Sequence, residues 1–544
     1  MNQGPTATID RASLFERLAR GHDERVVVLT PNRRLAQSLE ADFDRMQLAR
    51  GLASWEAPDI VPFATFVERA YEEAIFTPGG SELPALLSVA QEQLLWEEAV
   101  GAGEWSSKVL SRAATAALAA EAWSLAHDWR IESALDVWPG NEDSEAFAAW
   151  RAHYRRRTER DRLVDGARLP GLVGDLFAEG RMRAPAMIVL YAFDLMTARQ
   201  ADFAERCAAA GVEIRSCASE SRTARVTRVE LESPRQELEH AARWARARLA
   251  APSPAPAPKA AARKGKKTVD AQGELFAEGI ASPASAAPGT ARSIAIVVPD
   301  LQKRRAEVVR IFSRMLGPQG FNVSFAPPLS AAPLVDAALA IIELAGGPIS
   351  FDRASRLLRS AFVAGAEGEM AVRARLDLAL RRKAPAMVSL AKLRGLVGSE
   401  SARHPGLACP LLLKALDALV ESSASGPAAP HDWARRFTAQ LDAMGFPGER
   451  VLDSAEYQTL AKWRDVLSTL ATLGCVAPSW SGVEARGRVH RLANETTFQP
   501  ASGAAPVQVL GVLESAGLAF DHLWVCGLTD DAWPLATRPQ PLIP

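Results

Sequence analysis

Three short apolar runs limit what this chain can fold into more than any other feature. RVVVL at 25–29, MIVLY at 187–191 and IAIVV at 294–298 are each followed by a polar break and then a stretch of helical apolar spacing. A continuous apolar run of this length is the pattern of a strand covered on both faces, as strands are in parallel sheets. Shorter segments extend the alternation: VEIRSC at 212–217, RVTRVEL at 225–231, FNVSFA at 321–326, VQVLGV at 507–512 and HLWVCGL at 522–528. Strands alternating with helices predict an α/β fold on parallel sheets.

Long helical stretches interrupt this plan. From about residue 82 to 174 the pattern is almost wholly helical, as in KVLSRAATAALAAEAWSLAHDWRI, where Trp123 and Trp129 fall at positions expected to be core. A second helical stretch runs from about 334 to 493. Residues 251–292 divide the halves; they are rich in Pro, Ala, Ser and Gly and poor in aliphatic side chains, which predicts a disordered linker. The expected organisation is a first lobe over 1–250, the linker, and a second lobe over 293–544. Each lobe carries a helical insertion, and the second, with no closing helix after its last strand, is expected to be incomplete.

At 544 residues and 48% hydrophobic content the chain can bury more than one core. Its net charge is only −1, so any surface for a polyanion must be local. The five cysteines lack C-x-x-C spacing, which argues against a disulfide framework or a zinc knuckle and fits a reducing cytoplasm. The N-terminus has no signal-peptide pattern, and no apolar stretch reaches the roughly 18 residues of a membrane span. A cytoplasmic protein without a membrane partner is expected.

Nucleotide chemistry leaves a recognisable mark, and it is missing. A phosphate-binding loop needs glycines whose backbone N–H groups wrap the phosphates, plus a lysine and a hydroxyl. The first strand is instead followed by TPNRR, and the one lookalike, GKKT at 265–268, falls in the linker. Asp194, beyond the MIVLY strand, reads as a turn or capping residue rather than a metal ligand. Asp530 and Asp531 adjoin a turn, and Trp533 sits in a loop where base stacking remains open. The histidines are dispersed, no catalytic constellation stands out, and no metal or cofactor is expected.

LTPNRRLAQSL is more informative. Thr30 is expected to cap a helix whose first residue is Pro31, with Arg33 and Arg34 in the first turn. Cations there oppose the helix dipole, a small cost that a nearby phosphate would remove. Two solvated surface arginines account for the spacing equally well. In the linker, QGELF places an apolar pair, Leu275 and Phe276, in a polar tether after Gln272, similar to the peptides by which bacterial proteins dock on the replicative sliding clamp.

The order of these segments resembles a known family. VVVLTPNRRLAQSLEADF, LASWEAPDIVPFATFVERAY, AEAWSLAHDWRI, MIVLYAFDLMTARQADF, SIAIVVPDLQKRRAEVVRIFSRML and VQVLGVLESAGLAFDHLWVCGLTDDAWP together resemble the AddB-like bacterial DNA repair proteins. These are UvrD-like superfamily 1 helicase folds normally followed by a PD-(D/E)XK nuclease domain. The resemblance implies two RecA-like parallel-sheet lobes and a DNA-backbone contact through Thr30, Asn32, Arg33 and Arg34, because LTPNRRLAQSL looks like helicase motif Ia. It also marks departures: the motif II position lacks its acidic pair, Ala519 stands where hydrolysing relatives have Glu, and the motif VI arginine and the nuclease domain would lie beyond Pro544. ATP and magnesium are therefore not expected.

The function implied is that of a DNA-binding, ATPase-deficient, helicase-like scaffold of a bacterial repair and recombination nuclease that processes DNA ends. Its implied partners are DNA, a helicase-nuclease subunit and the sliding clamp. Two alternatives stand beside it: an ATP-dependent helicase or translocase subunit, and a non-enzymatic scaffold that recruits a helicase or clamp.

Overall fold

A computed structural model describes residues 7–138, 140–219, 223–250, 293–423, 426–500, 505–530, 532 and 537–544. The fold is α/β, with a five-stranded and a four-stranded parallel sheet among the described residues. The expected linker, the GKKT lookalike, Gln272, Leu275 and Phe276 of QGELF, Asp531 and Trp533 lie outside the described residues. The chain forms two compact units, one from Met1–Ala218, Ala326–Pro500 and Arg538–Pro544, the other from Ser219–Phe325 and Ala501–Thr537.

The sheet of the first unit contains β1 (Ala7–Thr8), β2 (Val26–Thr30), β3 (Ile60–Pro62), β4 (Met187–Tyr191) and β5 (Glu213–Cys217), in the order β1-β5-β4-β2-β3. Strands β2 and β4 are buried along their whole length, as continuous apolar runs require. They pair in parallel, with Val28 opposite Val189. The chain passes from β2 through α2 (Arg33–Ala49) to β3 on one side, and from β4 through α8 (Ala198–Ala209) to β5 on the other. The direction of winding therefore reverses between β2 and β4. One face of the sheet is covered by α3 (Phe63–Ile75), α7 (Leu169–Ala178) and α8, whose Phe66, Phe177 and Phe203 pack against Leu29 and Leu190. Helix α1 (Arg11–Leu18) packs on α2, with Phe15 edge-on to Phe43 at 5.8 Å.

The first helical insertion, α4 (Val89–Gly101), α5 (Arg112–Trp129) and α6 (Glu142–Arg160), closes around Trp96, which stacks on Tyr154 with ring centroids 4.1 Å apart. Beside them the wholly buried Asp165 accepts hydrogen bonds from Trp123 Nε1 at 3.2 Å and Tyr154 OH at 3.0 Å. Trp123 is core, as expected, but Trp129 is 45% exposed. It is the last residue of α5, where the helix ends on the left-handed Arg130 and leaves the packed face.

Among the described residues the second insertion has eight α-helices, from α11 (Pro333–Gly346) to α18 (Gly482–Glu495). The linear division places it with the second lobe, yet it belongs to the first unit. Gln91 Nε2 on α4 donates to the Thr472 carbonyl at 3.0 Å, and Leu94 packs against the cores of both insertions. Exposed apolar faces of two helical bodies merge into one core more favourably than each meets water.

The second unit carries β6 (Ile294–Val297), β7 (Phe321–Val323), β8 (Val507–Leu510) and β9 (His522–Val525), in the parallel order β9-β6-β8-β7. Helices α9 (Pro234–Ala250) and α10 (Leu301–Leu316) cover it, so α9 joins this sheet although it precedes residue 251. RVTRVEL forms no strand; residues 223–230 are exposed and irregular. Val226 has the opposite parity to Val229 and Leu231, so a strand there would present no single apolar face.

Candidate nucleic-acid interface

In an open parallel sheet, ligands bind beyond the carboxyl ends of the strands where the winding reverses. Here that point lies between β2 and β4, and TPNRR emerges from β2 there. Asn32, not Thr30, is the N-cap of α2: its Oδ1 accepts from the Leu35 N–H at 2.8 Å. Thr30 is wholly buried and its Oγ1 donates to the Asn32 carbonyl at 2.9 Å, so it shapes the turn and faces no ligand. Pro31 precedes the helix rather than opening it. Asparagine is a stronger cap than threonine, and Thr30 remains in the extended conformation as the last residue of β2.

The shift of cap leaves Arg33 and Arg34 as the first two helical residues, still in the first turn where the dipole disfavours them. No acidic side chain occupies that turn. Arg33 is exposed, and Arg34 and Asn32 are half-buried. Further along the helix, burial, together with the Asp44 charge, raises the pKa of Glu40, while Arg33 pulls it down.

From the adjacent β4 the chain turns through Ala192, which adopts a left-handed φ of 55° and donates its N–H to the Cys217 carbonyl at 2.8 Å. Left-handed backbone at a non-glycine residue is strained and tends to collect at functional turns. Asp194 follows, exposed, and caps nothing: α8 is capped by Thr197, which forms a reciprocal capping box with Gln200. The strand ends thus bring Asn32, Arg33 and Arg34 together with the turn at 192–194. The linker residues Gln272, Leu275 and Phe276 fall outside the described chain.

The chemistry this supports is capture of an anion by a helix N-terminus reinforced with guanidinium groups. A nucleotide cradle would need glycine at the turn, and Thr30–Pro31–Asn32 has none. Among the described residues no cluster of His, Cys, Asp and Glu has the arrangement of a metal site, and no helix is long and apolar enough to cross a membrane. No protein-family model matches this chain, and no curated protein is similar to it in sequence.

Proposed function

We propose that the chain is a DNA-binding, helicase-like scaffold that serves bacterial DNA end processing without hydrolysing ATP itself. The observation that carries this reading is the pair Arg33 and Arg34 in the first turn of α2, at the reversal point of a parallel sheet, with no acidic residue in that turn. Cations in this position weaken their own helix, a cost that a phosphate offsets most directly at the exposed Arg33. The bacterial repair context, a helicase-nuclease partner and the sliding clamp come from the family resemblance and belong to the same proposal.

Binding of labelled DNA to the full chain, measured across a salt series, tests it. Arg33→Ala with Arg34→Ala is expected to make the dependence of log affinity on log salt shallower by about 1.4 to 1.8, as for two lost phosphate contacts. Unchanged binding in this variant would remove the site. ATP hydrolysis stimulated by single-stranded DNA would replace the scaffold reading with the translocase one.

A further inference from the structure

Helices α9 and α10 lie side by side on the sheet of the second unit, where Leu238, Ala241 and Ala245 share a core with Val308, Ile311 and Phe312. They run in the same direction. Arg304 Nη2, in the first turn of α10, donates to the carbonyl of Pro234, the first residue of α9, at 2.8 Å. Glu237 accepts the Gly527 N–H beyond the end of β9 at 3.0 Å, whereas Trp244, two turns on, meets His522 at the start of that strand. Both helices therefore begin together and run antiparallel to the strands.

The carboxylates of this pair are already engaged: Glu237 with the Gly527 N–H, Glu239 with Arg235 and Glu307 with Arg304. Arg243 and Arg246 on α9, and Arg310 and Arg314 on α10, are exposed, and among the described residues none has a carboxylate within ion-pair distance. At 1.5 Å per residue Arg243 and Arg246 lie about 14 and 18 Å along α9, and Arg310 and Arg314 lie about 9 and 15 Å beyond Arg304, so the four fall within about 9 Å along two helices roughly 10 Å apart. Arg310 and Arg314 are four apart, a spacing at which like charges repel. Arg314 lies in the last turn, where a cation offsets the helix dipole; Arg310 has no such reason to be there. The aromatic side chains of the pair are committed elsewhere, Phe312 in the core and Trp244 against Trp524 at 5.5 Å. Among the described residues of the two helices no platform for stacking bases accompanies the charge, which favours a backbone over unpaired bases.

We propose that the outer flanks of α9 and α10 form a second DNA surface that holds the phosphate backbone of a duplex without reading its sequence. This rests on the DNA-binding reading above and adds a separate place and a preferred form of DNA.

The test compares the full chain with a variant carrying Arg243→Gln, Arg246→Gln, Arg310→Gln and Arg314→Gln, binding a duplex of about 30 base pairs and a matching single strand across a salt series. The salt slope for the duplex is expected to become shallower by about 3.6, affinity at low salt to fall at least about tenfold, and the melting temperature not to fall. Duplex binding and slope equal to the wild type would overturn the inference, as would a loss confined to the single strand. If the wild type binds DNA and only Arg33→Ala with Arg34→Ala weakens it, the second surface fails alone; if the wild type binds no DNA, both readings fail.

Discussion

Glu97 on α4 and Arg488 on α18 meet at 2.6 Å, one from each half of the chain, and the same carboxylate also pairs with Arg491. Glu97 is only 5% exposed. It links two helical insertions that the linear order keeps far apart.

Replacing Glu97 with Gln preserves the volume and removes the charge that both arginines face. The loss is expected to be about 1 to 3 kcal/mol of unfolding free energy, below that of a fully buried pair because Arg488 and Arg491 retain some water. Urea denaturation checks it through a lower midpoint. An unchanged midpoint would mean that the apolar contacts around Leu94 alone join the insertions.

Glu92, on the same helix, borders a cavity of about 220 Å³ together with Gln93, Ser124 and Gly166. Burial, and then the charge of Asp165, push its carboxyl up to about 7, against a weaker downward pull from Arg168. The folded state thus holds a proton that the unfolded state releases at the ordinary value of 4.5. The stability this contributes is full below pH 4.5 and is lost as pH rises to about 7, with an upper bound of about 3 kcal/mol. Nearby His127 is shifted down by burial, which acts in the opposite sense, so the comparison must be made by difference. Glu92→Gln should be more stable than wild type at pH 8 by about 1 to 3 kcal/mol and no more stable at pH 4. Denaturation midpoints at the two pH values decide it, and a gain independent of pH would point to packing instead.

Asn32→Asp separates folding from binding at the first site. Aspartate caps as well as asparagine and adds a negative charge that favours the helix N-terminus, so the melting temperature should hold or rise. DNA affinity should fall, because the new charge sits beside Arg33 and repels phosphate. Asn32→Ala should instead cost about 1 kcal/mol of stability through the lost bond to the Leu35 N–H. If Asn32→Asp left DNA binding intact, the phosphate path would not run past this turn.

The sequence by itself determined the long apolar strands and the helices that follow them. VVVL at 26–29 and MIVLY became the body of β2 and β4 because a short run that is apolar at every position is best satisfied by cover on both faces. It also determined that Arg33 and Arg34 lie in the first turn of a helix, since either possible cap leaves them there. What it left open was decided by contacts that leave no local pattern. Thr30 and Asn32 are both competent caps, and only the extension of β2 through residue 30 selects the second. The two-residue strand β1 is too short to show a period and exists because β5 offers it a free edge. The assignment of α9 to the second sheet, the union of the two insertions through Glu97 and Arg488, and the side-by-side placement of α9 and α10 are likewise long-range. Each depends on which apolar face finds which partner, and hydrophobic burial is non-directional along the chain, so only the folded structure fixes those pairings.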